Sequence, residues 1–248
     1  MTNSLLTKQN ENLLFHTFDE TLKPQIEELM SIGKNAGADL VEIFLEKSDN
    51  ISLLAEQDNI SNVSPSFGIG AGIRVFLGKK DGFFSTNDLS KEGLLFAMNQ
   101  ALGMLGLSTQ SKKNNEFDGL NDLKDFAIHK DDWLDNSPNI QESTCKLLDA
   151  TNSLSNINKN LPVRRASYSR NWQEVLVAAS DGVFARDIRL HQTVGINVIA
   201  QQGKNRSTSA RRYGSSGNPD DLRNWDIDKS ARDLNESAQN MLYAGYVE

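Results

Sequence analysis

Three histidines, one cysteine, one glycine-rich run and the adjacent arginines Arg211-Arg212 are residues whose types invite chemistry. A hydrolytic zinc centre needs imidazole or carboxylate donors converging on one point, commonly two His on one helical turn with a Glu between them. His16, His129 and His191 are each isolated, with no Glu or His at ligand spacing, so the sequence predicts no metal site in this chain. Cys145 lies on a helical pattern beside Lys146, where a lowered pKa would make it a nucleophile, but a lone cysteine is more often a small buried apolar residue. Gly68-Ile69-Gly70-Ala71-Gly72 lacks the sixth-position glycine of a dinucleotide fingerprint and precedes a strand, so close backbone approach or a bulge is expected there. Ser85-Thr86-Asn87-Asp88 reads as a helix cap. Arg211, Arg212 and Tyr213 stand at a strand end, where two guanidiniums and a phenol could hold a peptide carboxylate or a phosphate. They are the candidate peptide-contacting residues, beside the reading of a solvated strand end. No catalytic or cofactor-binding residue is predicted.

These groups need elements to position them. From Val163 to Tyr213 four runs of alternating or β-branched residues are punctuated by Asn171, Ser180-Asp181-Gly182 and Gly203-Lys204-Asn205, which predicts a four-stranded antiparallel meander. The stretch Val183–Gln202 is long enough for a strand that curls, and Gly195 within it could mark a bulge or bend. Residues 161–213 carry eight Arg and one Lys against Glu174, Asp181 and Asp187, a local balance of +6 in a chain of net charge −7. A basic island of this kind attracts phosphates or acidic polypeptides, or is only the solvated face of a sheet.

Upstream, residues 22–36 predict a helix capped by Thr21, with Pro24 in its first turn and Gly37 at its end. Segments 40–47, 51–57, 59–64, 72–78 and 80–88, with turns at Asp49-Asn50 and Lys79–Gly82, predict a second antiparallel sheet. Residues 90–107, 140–158 and 226–246 follow helical spacing. The expected class is α+β, antiparallel sheets with long curled strands packed against helices. The expected organisation is a flexible N-terminus (1–18), a helix-sheet-helix unit (19–107), an acidic connecting segment (108–139) pinned by Phe126 and Trp133, and a helix, meander and terminal helix (140–248).

With 248 residues, 38% hydrophobic and 24% charged, the composition is that of a globular protein. One cysteine permits no internal disulfide and suits a reducing cytoplasm. Residues 1–18 lack the basic and apolar regions of a secretory signal, no apolar run approaches the roughly 20 residues that span a bilayer, and sequons such as Asn59-Ile60-Ser61 carry no meaning without export.

Three stretches resemble the TldD/PmbA family of metallopeptidases, the modulator-of-gyrase proteins: ADLVEIFLEK (38–47), GIGAGIRVFLGKKDGFFSTNDLSKEGL (68–94) and EVLVAASDGVFARDIRLHQTVGINVIAQQG (174–203). The likeness runs from about residue 20 to the end and corresponds to the family's N-terminal half, closer to the TldD side. It implies a cytoplasmic complex that cleaves unfolded peptides at an interior zinc, held in the TldD-type second half by a His-Glu-x-x-x-His motif. That motif is not in this sequence. No cofactor is therefore expected in the chain itself, zinc is implied for the full-length member, and the chain is expected to be inactive alone. Implied partners are a PmbA/TldE-like companion subunit or a homo-oligomer, and unfolded peptide. Because no polar tail follows Leu242-Tyr243, the sequence reads as interrupted before a catalytic half. Two other readings stay open. One is a non-catalytic PmbA-like partner or interaction module. The other is single-strand nucleic-acid binding by the Arg-rich sheet, with Tyr168, Trp172, Phe184 and Tyr213 as stacking residues.

Overall fold

Runs of β-branched and alternating residues far longer than an ordinary strand set the architecture. The computed structural model describes residues 17–110, 113, 115–127 and 133–244. In chain order it contains α1 (Lys23–Asn35), β1 (Leu40–Glu56), β2 (Asn59–Leu77), β3 (Lys80–Thr86), α2 (Lys91–Met104), β4 (Lys124–Asp125), α3 (Trp133–Asn136), α4 (Ile140–Ile157), β5 (Val163–Ala179), β6 (Phe184–Gln202), β7 (Asn205–Ser216) and α5 (Ile227–Tyr243). The strands form one seven-stranded sheet in the order β3-β2-β1-β5-β6-β4, with β7 also on β6. The β2/β3 and β6/β7 ladders are antiparallel, and β4 adds a two-residue parallel bridge. The class is α+β.

The chain folds as two compact units built from interleaved segments: 1–48, 67–128 and 173–188 make the first, and 49–66, 129–172 and 189–248 the second. In the first, α1 turns Ile26, Leu29 and Met30 inward and α2 turns Leu94, Met98 and Leu102 inward, against the inward side of β1 and β2 at Val41, Ile43, Leu45, Ile73 and Val75. In the second, Leu147 and Leu154 of α4 and Leu234 and Ala238 of α5 pack with Leu53, Tyr168, Ile196 and Val198. Burying such side chains contributes roughly 1.5–3 kcal/mol each, so these stripes outweigh any local preference.

Several expectations change. Two sheets were predicted where one exists, and four strands between 163 and 213 where there are three. The reason is the same at both places. Asn171 does not end β5 and Asp49-Asn50 does not break β1, because these polar residues are cross-strand partners: Arg170 pairs with Asp49, and Asn171 donates to Asn50. Segments 59–64 and 72–78 are one strand through the glycine run, and the turn before β3 is only Gly78-Lys79, with Asp81 and Gly82 inside β3. Gly195 makes no bulge toward β7, since the ladder is unbroken from His191↔Ser216 to Gln202↔Asn205; a Cβ there would stand 2.8 Å from Ser167 Oγ, so the glycine permits close approach.

Helix entry differs too. Asp19, not Thr21, does the capping, and it caps a 3₁₀ turn (Glu20–Leu22) that leads into α1. Ser90 caps α2, Asp226 caps α5, and Asn139 with Glu142 forms a capping box on α4. Phe126 is 61% exposed and pins nothing; the side chain of Trp133 lies outside the described residues. The connecting segment is held instead by buried Leu120, by Glu27 accepting from Leu120 N–H and by Glu20 accepting from Leu123 N–H.

Candidate functional site

Strand β7 carries the predicted peptide-contacting residues, which lie inside it rather than at a strand end because pairing with β6 continues to Ser216. Within the ladder Arg211, Arg212 and Tyr213 stand opposite Ile196, Gly195 and Val194 of β6. No strand pairs with the other edge of β7 among the described residues. Alternation sends Ser207 and Ser209 toward α5, both buried, and the Ser207 hydroxyl donates to the Ala238 carbonyl at 2.7 Å. Arg211 continues that row and lines an open cleft of about 610 Å³ with Asp233, Glu236, Ser237 and Asn240 of α5. Tyr213, 41% exposed, leans on Trp225 with ring centroids 6.4 Å apart. Neither Arg211 nor Arg212 has an ion-pair partner among the described residues, so both guanidiniums remain available for a carboxylate.

Among the other cations of the predicted basic island, four arginines meet carboxylates, and Arg206 donates to Gln201 Oε1 at 2.9 Å. Arg164 pairs with Asp58, Arg165 with Glu56, Arg170 with Asp49, and Arg186 with Glu174 and Asp125. Of the aromatics considered as stacking platforms, Tyr168, Trp172 and Phe184 are buried and only Tyr213 is open. Tyr168 donates to Gln192 Oε1 at 2.8 Å, and burial pushes its hydroxyl up to about 12.

Sequence reasoning missed a buried cluster of charges among the described residues. Glu174, 1% exposed, accepts from Arg186 Nε and from Phe18 N–H at 2.8 Å each, and takes Lys47 Nζ at 2.6 Å. The Lys47 ammonium also lies 4.6 Å from the centre of the Phe18 ring. The pattern contained a trace of it, since Lys47 occupies an inward position in the series Val41, Ile43, Leu45. This group ties the segment before α1 to β1, β5 and β6, and its carboxylate is fully engaged, which suits positioning rather than proton transfer.

The glycine run lies in β2. Gly68, Gly70 and Gly72 border a cleft of about 320 Å³ with Phe44, Glu46, Phe83 and Asn87. A Cβ on Gly72 would meet the Phe83 ring at 3.0 Å, and one on Gly70 would meet the Thr86 carbonyl at 3.1 Å. Close approach is therefore the structural role of these glycines. In the Ser85–Asp88 segment, Asp88 accepts from Ser90 N–H, and hydrogen bonds from the Ser90 side chain and backbone hold its carboxyl below the usual range. Cys145 is exposed, and Lys146 donates to the Arg223 carbonyl rather than attending a thiolate. His191 contacts Ser216 Oγ at 3.1 Å, while His16 and His129 lie outside the described residues. No group of three or more His, Cys, Asp or Glu among the described residues could hold a metal ion, and no described helix is long and apolar enough to cross a membrane.

Two domain families match: the one described as PmbA/TldA metallopeptidase domain 1 over residues 41–105, and the PmbA/TldA metallopeptidase central domain over residues 134–242. No curated protein is significantly similar to the chain. Among solved structures, a candidate modulator of a DNA gyrase from Thermotoga maritima MSB8 superposes with a TM-score of 0.72 at 14% identity, covering 92% of this chain and 50% of that one. A candidate modulator of DNA gyrase from Bacteroides thetaiotaomicron VPI-5482 gives 0.68 at 14% identity, covering 98% and 52%. TldE from Thermococcus kodakarensis gives 0.59 at 19% identity, covering 87% and 47%. At these identities the likeness establishes the fold. The chain spans about half the length of the solved structures it matches.

Proposed function

Because the chain belongs to the PmbA/TldD metallopeptidase family, we propose that it forms the scaffold and substrate-path portion of a TldD-like zinc metallopeptidase acting on unfolded peptides in the cytoplasm. It works beside a PmbA/TldE-like companion subunit or a second copy of itself. The observation that supports this most is the open edge of β7 with two unpaired guanidiniums and an exposed phenol on it. Backbone pairing along such an edge accepts any sequence, while Arg211 and Arg212 favour acidic segments or a peptide carboxylate. Zinc is implied by the family, but the described residues offer no donor set for it. No bond-breaking step is assigned to them, and the chain acts by holding peptide.

The test uses a fluorescein-labelled, unfolded acidic peptide and the purified chain. We expect saturable binding that weakens with salt, about tenfold weaker binding for the Arg211→Ala/Arg212→Ala double variant, and no hydrolysis with or without added zinc. Equal binding by the double variant would remove β7 from the path. Hydrolysis that persists in chelator would overturn the scaffold reading itself. The non-catalytic companion-subunit reading shares the binding result and differs in the partner that supplies zinc.

A further inference from the structure

The far end of the β1–β2 hairpin carries a second open edge with a different character. Strand β3 pairs only with residues 71–77 of β2. Over Asn59–Ser66, within the second compact unit, β2 therefore has β1 as its sole neighbour among the described residues, a contact reinforced by Ser61 Oγ donating to the Leu54 carbonyl at 3.2 Å. A strand at the side of a sheet ordinarily buries one face. Here every residue from Ser61 to Ser66 is exposed, including Val63 at 43%.

The segment Asn59-Ile60-Ser61-Asn62-Val63-Ser64-Pro65-Ser66 also contains no charged residue, in a chain where 24% of residues are charged. Open edges are normally guarded by charges, most often lysine, against promiscuous pairing. This one has a single guard, Pro65, which removes one N–H at the end of the segment. An unguarded edge is tolerated when its own assembly covers it.

We propose that Asn59–Ser66 joins, antiparallel and about a twofold axis, the same segment of a second copy of this chain. Twofold pairing sets a segment against itself, so any charge near the axis would meet its like; the neutrality of this segment removes that penalty. The contact is isologous and closes at two copies, which keeps a neutral edge from propagating into fibres. An acidic peptide finds no cation here, in contrast to β7. This deepens the pairing part of the proposed function and rests on it.

The mass of the 248-residue chain by analytical ultracentrifugation tests it. The expected species is twice 27.5 kDa. Val63→Lys and Val63→Glu, at an exposed position, should each weaken the pair roughly tenfold or more through like-charge opposition, with unchanged circular dichroism and unchanged peptide binding, and mixing the two should restore it. A wild-type pair that both variants leave intact would preserve pairing but overturn this edge as its site. A wild-type monomer would overturn the second copy as occupant. In that monomer, slow exchange of the residue 59–64 amides that face away from β1 would show that the same chain covers the edge. None of these outcomes bears on peptide binding by β7, so failure of one reading is separable from failure of the other.

Discussion

Glu174 shows how a single side chain carries more than its local surroundings suggest. Removing a carboxylate from water is costly and is offset only when its partners are close and complete. Lys47, Arg186 and the Phe18 N–H provide that at 2.6–2.8 Å, all within a region where neither cation exceeds 5% exposure. Glu174→Gln removes the buried carboxylate that Lys47 and Arg186 share, leaving Arg186 with Asp125, and should destabilise by about 3 kcal/mol, read as a lowered urea midpoint. Lys47→Met/Glu174→Leu/Arg186→Met should recover part of that loss, because uncharged side chains carry no desolvation penalty but the Phe18 N–H loses its acceptor. Single residues of this kind were only faintly legible. Lys47 sat at an inward strand position, but Glu174 is 127 residues away in the chain, and no local pattern links them.

Elements were more legible, because periodicity is written locally. Helices α1, α2, α4 and α5 fall where apolar spacing placed them, but the caps do not: Ser90 rather than Ser85–Asp88 caps α2, and Asp19 rather than Thr21 caps the turn before α1. Strand interruptions were not legible, since Asp49-Asn50 and Asn171 carry turn chemistry and yet pair across strands. The glycines make the same distinction testable. A Cβ on Gly82 of β3 would stand 2.2 Å from the Ala101 carbonyl of α2, a backbone atom that cannot move aside. Gly82→Ala should therefore destabilise by about 1–3 kcal/mol. Gly103→Ala, on α2 with nothing within 4 Å of its Cβ, should stabilise by about 0.5–1 kcal/mol through helix propensity. Thermal melts of the two variants should move in opposite directions.

Across the molecule, charge is where counting and geometry part. The balance of +6 over residues 161–213 is reduced once Arg164, Arg165, Arg170 and Arg186 meet carboxylates of β1, its turn and the connecting segment, while Arg211 and Arg212 stay open. With three of the four candidate stacking aromatics buried and a net charge of −7, we expect no binding of oligo-dT tighter than about 10⁻⁵ M at physiological salt. Fluorescence anisotropy checks this, and tight, steeply salt-dependent binding would contradict it. The candidate site divides along the same line. Arg211, Arg212 and Tyr213 were picked out by type at a strand end, whereas the open edge of β7, the cleft against α5 and the uncharged edge of β2 emerged only from pairing. The amino-acid order by itself determined the helices, the strand-rich character and the family likeness, because alternation, caps and turn residues act between near neighbours. Tertiary structure alone decided that the described strands form one sheet, which arginines are neutralised and which edges stay open, because those depend on residues brought together across the chain, 121 positions apart for Arg170 and Asp49.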